Sequence, residues 1–217
     1  MAATRSTQQS PDPAEGRTRT AKPVRERLLD AADAVLFVDG VPSAPVDRIL
    51  KHAGASPPSL YTHFGNKEGL LVAALKRRLD VWREEWTAAI ADAADDEERL
   101  LCLWSATRTY QRVRLTERWC AFSGTAASID DPTPELQAVL DEETAMLYDR
   151  TYEHALPLVG HDTEAARQLS EQLVVVYLGS LALMLRREYE VALTAGERTA
   201  RTLVRAFGSA HGAQSSR

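Results

Sequence analysis

Apolar residues return along this chain at the three-and-four spacing of helices. Leu28, Ala31, Ala32, Val35 and Leu36 form one such stripe and predict a helix from about Pro23 to Val38, stopped by Asp39 and Gly40. Two short helices follow, over 46–53 and 57–63. A longer one starts near Asn66 and carries Leu70, Leu71, Ala74, Leu75 and Leu79 towards Trp86. Further helices are expected near 97–114, 118–128, 134–156, 163–188 and 195–209. Breaks fall at Asp130-Asp131-Pro132-Thr133-Pro134 and at Leu156-Pro157-Leu158-Val159-Gly160. No stretch alternates with the period of a strand, and no segment repeats. The pattern predicts an all-α protein.

The two short helices are punctuated tightly. Gly54 stands where the first must stop, because glycine reaches the left-handed backbone conformation without steric cost. Ser56 stands at the N-cap of the second, with a hydroxyl able to accept an orphan backbone N–H. Pro57 follows at the first helical position, where its missing N–H is no loss. Ile49, Leu50, Leu60 and Phe64 are placed inward, leaving Ser59, Tyr61, Thr62 and His63 as a polar outer set. This is the layout of a helix-turn-helix, whose second helix enters the major groove of DNA.

Residues 173–185, Leu-Val-Val-Val-Tyr-Leu-Gly-Ser-Leu-Ala-Leu-Met-Leu, are nearly apolar all round. The run falls short of the roughly 20 residues a membrane span needs. A helix apolar on every side must be covered on every side. Either it is a core helix of one chain, or one face packs on its own chain and the other on a second copy. Gly179, Ser180 and Ala182 are small enough for a partner helix to come close. The candidate interface is Tyr177, Leu178, Gly179, Leu181, Ala182 and Leu185, with Leu203 and Phe207 from the last helix.

Net charge is -5, which gains meaning once divided. Residues 1–80 hold 12 Lys and Arg against 9 Asp and Glu, a net +3; residues 81–217 hold 14 against 22, a net -8. A mildly basic first part and an acidic remainder suit a protein that meets phosphates at one end. Cys102 and Cys120 have neither metal-ligand spacing nor a disulfide framework, and read as two buried thiols. No secretory signal is recognisable, and a cytoplasmic location is expected. Residues 1–22, rich in Ser, Thr, Gln, Pro and Ala, read as a disordered arm whose Arg17, Arg19 and Lys22 either reach DNA or stay solvated.

The run Leu60-Tyr61-Thr62-His63-Phe64-Gly65-Asn66-Lys67-Glu68-Gly69-Leu70-Leu71, with Arg27-Leu28-Leu29-Asp30-Ala31-Ala32 and Asp39-Gly40 before it, resembles the motif of the TetR family of bacterial regulators. The resemblance covers about residues 24–80. It implies a DNA-binding domain over 23–66 and a helical ligand-binding and dimerisation domain over 67–209; residues 210–217 are expected to form a disordered tail. It implies that the chain dimerises through a four-helix bundle. Carried onto this sequence, the DNA-contacting positions are Pro58 and Ser59 at the start of the reading helix, then Tyr61, Thr62 and His63, and Lys67 at the start of the next helix. Arg48 and Lys51 are either further phosphate contacts or a wet face. The sequence departs from the family before the second helix, where a Ser or Thr is usual and Pro42-Ser43-Ala44-Pro45 stands instead. Ala44 is a poor cap, and Ser43 would substitute only if the helix began earlier.

The resemblance further implies a ligand pocket in the second domain. The aromatic residues Trp82, Trp86, Trp104, Tyr110, Trp119, Phe122, Tyr148 and Tyr177 suit an apolar or aromatic effector, and Trp104, Phe122, Tyr148 and Tyr177 are the candidate lining. Arg108 and Arg112 form either an anion clamp or a surface stripe. The expected function is a homodimeric repressor released from a palindromic operator by a small molecule, with no cofactor and no metal. Two alternatives stand beside it. An enzyme would need a catalytic constellation, and no paired motif carboxylates, metal-spaced His and Cys or phosphate-cradling glycine loop is apparent. A protein-interaction module would explain residues 173–185 but not the N-terminal motif.

Overall fold

The computed structural model describes residues 22–41, 43–114 and 120–212. Among them lie nine α-helices and no strand: α1 (Val24–Asp39), α2 (Val46–Ala53), α3 (Pro57–Phe64), α4 (Lys67–Asp92), α5 (Asp96–Arg114), α6 (Ala121–Ala126), α7 (Pro134–Ala155), α8 (Thr163–Leu183) and α9 (Tyr189–Gly212). A 3-10 turn, Leu156–Val159, joins α7 to α8. Arg17, Arg19, Trp119 and residues 213–217 of the expected tail lie outside the described residues.

The first three helices make a small head. The α1 stripe Leu28, Ala31, Ala32, Val35 and Leu36 is fully buried and receives Ile49 from α2 and Leu60 from α3. Gly40 ends α1 with a φ of 86°, in the region that side-chain-bearing residues avoid. Two ladders tie the head to α4. Arg77 pairs with Asp30 at 2.9 Å and also with Asp33, while the neighbouring Arg78 donates from Nε to Asp33 at 2.7 Å and lies 4.1 Å over the Phe37 ring.

In the body, α5 packs against α4, α7 and α9, and α8 pairs with α9. Trp104 of α5 is wholly buried and donates from Nε1 to Ser180 Oγ of α8 at 3.2 Å. Gly196 of α9 lets this bond form: a Cβ there would lie 1.9 Å from Ser180 Oγ and 2.7 Å from Trp104 Nε1.

Three boundaries differ most from the sequence reading. Helix α4 runs six residues beyond Trp86, because Ala89 and Ile90 continue its packing. The next helix then opens on a reciprocal cap, with Glu98 N–H donating to Asp95 at 2.8 Å and Ala94 N–H donating to Glu98 at 3.0 Å. The expected helix over 163–188 ends at Leu183, and α9 starts at Tyr189 rather than 195. Neither Gly nor Pro marks this corner. It is made by i→i+3 turns, such as Arg186 N–H to Leu183 O at 2.9 Å, that sink Met184 into the core.

Candidate nucleic-acid interface and effector cavity

The turn between α2 and α3 is held from both sides. Gly54 takes the left-handed conformation (φ 56°) and closes α2 by donating to the carbonyls of Leu50 and Lys51. Arg27, reaching across from α1, donates to the Gly54 carbonyl at 3.2 Å. Ser56 is the N-cap of α3, but its hydroxyl takes no backbone N–H. Pro57 and Pro58 have none to give, and the first available N–H, that of Ser59, already donates to the Ser56 carbonyl at 3.0 Å. The Ser56 hydroxyl therefore pairs with that of Ser59 at 3.0 Å.

The outward face of α3 carries Pro58, Tyr61, Thr62 and His63, all exposed, with Tyr61 at 60%. Ser59 is half-buried and tied to Ser56. Arg48 and Lys51 are exposed on α2. Phe64 packs inward, with Arg25 lying 5.6 Å over its ring.

Lys67 holds a more structural place than the sequence suggests. It is half-buried and donates to the Val41 carbonyl at 2.7 Å, pinning the link between α1 and α2, and burial lowers its ammonium below the usual lysine range. Two of its three N–H donors remain for other partners. Glu68 accepts from the Thr133 N–H at 3.0 Å and from its hydroxyl at 2.8 Å, joining the start of α4 to the start of α7. Asn66 caps α4 by accepting from Gly69 N–H at 2.8 Å. Gly69 must be small, since a Cβ would lie 2.0 Å from the Phe64 carbonyl.

Before α2 the departure from the family pattern is real. Pro45 is the N-cap, with no side-chain cap bond. Ala44 is buried, and Ser43 N–H and Ala44 N–H both donate to the Gly40 carbonyl at 3.2 Å. The helix does not begin early, so Ser43 does not become its cap.

In the body, a cavity of about 50 Å³, partly open to solvent, lies among α4, α5, α6, α7 and α8. Its lining is Arg78, Trp82, Thr107, Tyr110, Gln111, Cys120, Ala121, Phe122, Glu143, Tyr177 and Leu181. Phe122 and Tyr177 thus face it. Trp104 does not: it stands behind Tyr177, edge to face at 5.8 Å, and belongs to the core. Tyr148 is 37% exposed on the outer surface of α7, one residue past the buried Leu147 and so about 100° round the helix. Trp82 takes the expected aromatic place, in edge contact with Tyr110 at 5.7 Å. Arg108 is no free anion clamp, because it bonds Glu197 at 2.7 Å and Glu190 at 3.2 Å on α9. A larger groove of about 450 Å³ on α4, α5 and α9 is open and charged, and its Arg201 is already paired with Glu97 at 2.7 Å.

The residue that sequence reading missed is Glu143. It sits on the inner stripe of α7 between Val139 and Leu147 and is only 9% exposed. Burial raises its carboxyl to a pKa of about 7. The signal was present in the chain: Leu136, Val139, Leu140, Glu143, Leu147 places one acid on an otherwise apolar face.

Among the described residues no group of His, Cys, Asp and Glu is arranged to hold a metal, and no helix is long and apolar enough to cross a membrane.

A recognition-type helix held proud of a three-helix head, on a helical body, defines a helix-turn-helix DNA-binding regulator. Known proteins fix the family. Residues 28–74 match the bacterial regulatory proteins of the tetR family. The HTH-type transcriptional regulator BetI of Rhizobium meliloti is 36% identical over 83 residues, 38% of this chain and 41% of that protein. TtgW, an uncharacterised HTH-type transcriptional regulator of Pseudomonas putida, is 30% identical over 97 residues, 45% of this chain and 72% of that protein. The crystal structure of a TetR-family transcriptional regulator from Streptomyces coelicolor superimposes with a TM-score of 0.77 at 24% identity, covering 85% of this chain and 96% of that one. A putative TetR transcriptional regulator from Streptomyces avermitilis does so with a TM-score of 0.72 at 26% identity, covering 85% and 98%. The chain belongs to the TetR family. It is a DNA-binding transcriptional regulator and not an enzyme.

Proposed function

We propose that the protein is a homodimeric cytoplasmic repressor that leaves a palindromic operator when a small molecule enters the body. The observation that carries this reading is the outer face of α8. Val175 and Leu178, 66% and 38% exposed, form with Gly179 and Ala182 an apolar stripe with no cover of its own, and Leu185, 47% exposed in the turn just beyond the helix, extends it. Gly179 has no neighbouring atom within 4 Å of where a Cβ would stand, which leaves room for a second helix. Leu203 and Phe207 of the adjoining α9 are half-buried and extend the surface. Tyr177 and Leu181, both buried within the chain, drop out of the interface.

At the head, Tyr61, His63 and Lys67 are assigned to phosphates, Pro58, Ser59 and Thr62 to the groove, and Arg48 and Lys51 to flanking phosphates. With Ala44 and Pro45 before α2, the hydroxyl contact usual there is absent, and the operator is read with fewer direct contacts. Selection of operators from a random duplex pool, followed by footprinting, tests the whole reading. A palindrome with half-sites about 10 base pairs or slightly more apart supports a dimeric reader. A single unrepeated site, or no enrichment at low salt, overturns it.

A further inference from the structure

The polar group that stands out in the body is Glu143. Glu143 is nine-tenths buried and lines the cavity, and no hydrogen bond or ion pair ties it to another described residue. Buried carboxylates are ordinarily paired, because an isolated charge is poorly solvated away from water. Among the described residues, the groups that share the lining do not supply the missing charge. Cys120 and Tyr177 are acids whose own ionisation burial opposes, and Tyr110 is a phenol. Arg78 shares the lining, but its guanidinium is engaged by Asp33 and stacked on Phe37, towards the head. The rings of Trp82, Tyr110, Phe122 and Tyr177 line the same cavity. Aromatic faces attract cations, and more strongly once water is displaced. They also offer an anion nothing.

We infer that the cavity takes an organic ammonium ion, with Glu143 accepting its N–H donors and the four aromatic side chains surrounding the charge and its hydrocarbon. The inference rests on the proposal that this cavity is the effector site. The space present suits the head group: about 50 Å³ accommodates an ammonium, close in size to a water molecule, while the hydrocarbon lies towards the open side. A carboxylate or phosphate ligand would meet the ionised Glu143 with like charge and is disfavoured at pH 8. A neutral ligand of the same shape could donate a hydrogen bond to the carboxylate but would leave its charge unbalanced.

The test uses the full chain at pH 8, with 2-phenylethylammonium as probe and 2-phenylethanol as its uncharged counterpart of equal size. Binding is read by calorimetry and by the fluorescence change of Trp82, with Trp82→Phe assigning the signal. The ammonium should bind the native protein at least about tenfold more tightly than the alcohol, and Glu143→Gln should remove that preference while leaving the alcohol's affinity within about twofold. Equal binding of alcohol and ammonium to the native protein would overturn the ammonium inference and leave an apolar effector site standing. Ammonium binding unchanged in Glu143→Gln would place the probe elsewhere and also overturn it. Failure of both probes at millimolar concentration, with phenylacetate binding instead, would overturn it in favour of Arg78 as the anchor.

Discussion

The head and the body present their chemistry in opposite ways. On α3 the side chains assigned to DNA point outward, Tyr61 being 60% exposed, and the backbone beneath them is fixed by Gly54, two prolines and the Arg27 bond across the turn. In the body the chemistry points inward. Glu143 is 9% exposed, and the cavity it lines is far smaller than the roughly 300 Å³ at which pockets for whole small molecules begin. A surface that must match rigid DNA gains from being set in advance, since nothing then has to be ordered on binding. A sensor gains from the reverse. A buried charge left unsatisfied destabilises the empty state, and a ligand that satisfies it shifts the balance of conformations. The two regions meet on α4, whose first turn is fastened to α7 through Glu68 and whose Arg78 touches both the cavity and Asp33 of the head.

The largest effect expected concerns the proposed dimer. Leu178→Arg places a charge in the middle of the uncovered α8 stripe, where a paired face would have to desolvate it. Sedimentation should then show monomer, and operator affinity should fall by two orders of magnitude or more, because one head reads only half a site. A folded dimer of this variant would separate the body's apolar face from DNA reading altogether.

Glu143→Gln probes the cost of the buried charge. The carboxyl stands at about 7 in the folded chain against 4.5 for the unperturbed group. The folded pKa is the higher one, so the native protein holds its full stability below the unperturbed value. It loses stability as pH rises from there to about 7 and gains none back above it. The loss amounts to about 3 kcal/mol. The glutamine variant should therefore melt roughly 6–12 °C higher at pH 8, with the difference shrinking steadily towards pH 4.5. A variant no more stable than the native chain at pH 8 would mean that the carboxylate is already well solvated, and the contrast with the exposed head would weaken.

These two positions also show how unequally the chain announces its parts. Head elements are short and end in residues with fixed conformational meaning: Gly40 and Gly54 at positive φ, Pro57 at a first turn, Asn66 as a cap. Each of those acts locally, so residue type and spacing suffice to place the turn and the outward face of α3. Body elements are mostly long, and although Thr133, Gly160 and Asp162 mark some ends, others carry no such mark. The corner after Leu183 is set by the burial of Met184, and placing Trp104 and Tyr148 in a lining rests only on their falling mid-helix. Mid-helix position does not fix rotation relative to other helices. Trp104 instead reaches Ser180, 76 residues away, and only packing decides that. The same limit hid the role of Lys67, whose partner Val41 lies across a loop.

Smaller effects are expected on the head alone. Tyr61→Phe removes one phenol O–H from an exposed position and should weaken operator binding about tenfold, the value of one hydrogen bond to a charged oxygen, with no change in melting temperature. Affinity within twofold of native would withdraw the phosphate assignment. Lys67→Ala differs in kind. It should lower both operator affinity and local order near Val41, and flatten the salt dependence by about one unit of slope. Loss of order without a change in slope would make Lys67 a positioning residue only.

The smallest change tests whether the two regions are coupled or merely attached. Glu68→Ala removes both bonds to Thr133 while leaving the Thr133 hydroxyl to cap α7 through Leu136 N–H, a contact of 3.3 Å. Global stability should fall by about 1 kcal/mol. Amide exchange at the start of α7 should speed up, since that turn loses its anchor on α4. If α4 carries strain from the cavity to the reading head, operator affinity should also shift, by about two- to fivefold, the span of a weak coupling energy between sites. Faster exchange in α7 with an unmoved operator affinity would show that Glu68 holds the body together without informing the head. Arg78 and its pairing with Asp33 would then remain as the link joining a cavity-lining side chain to the DNA-reading unit.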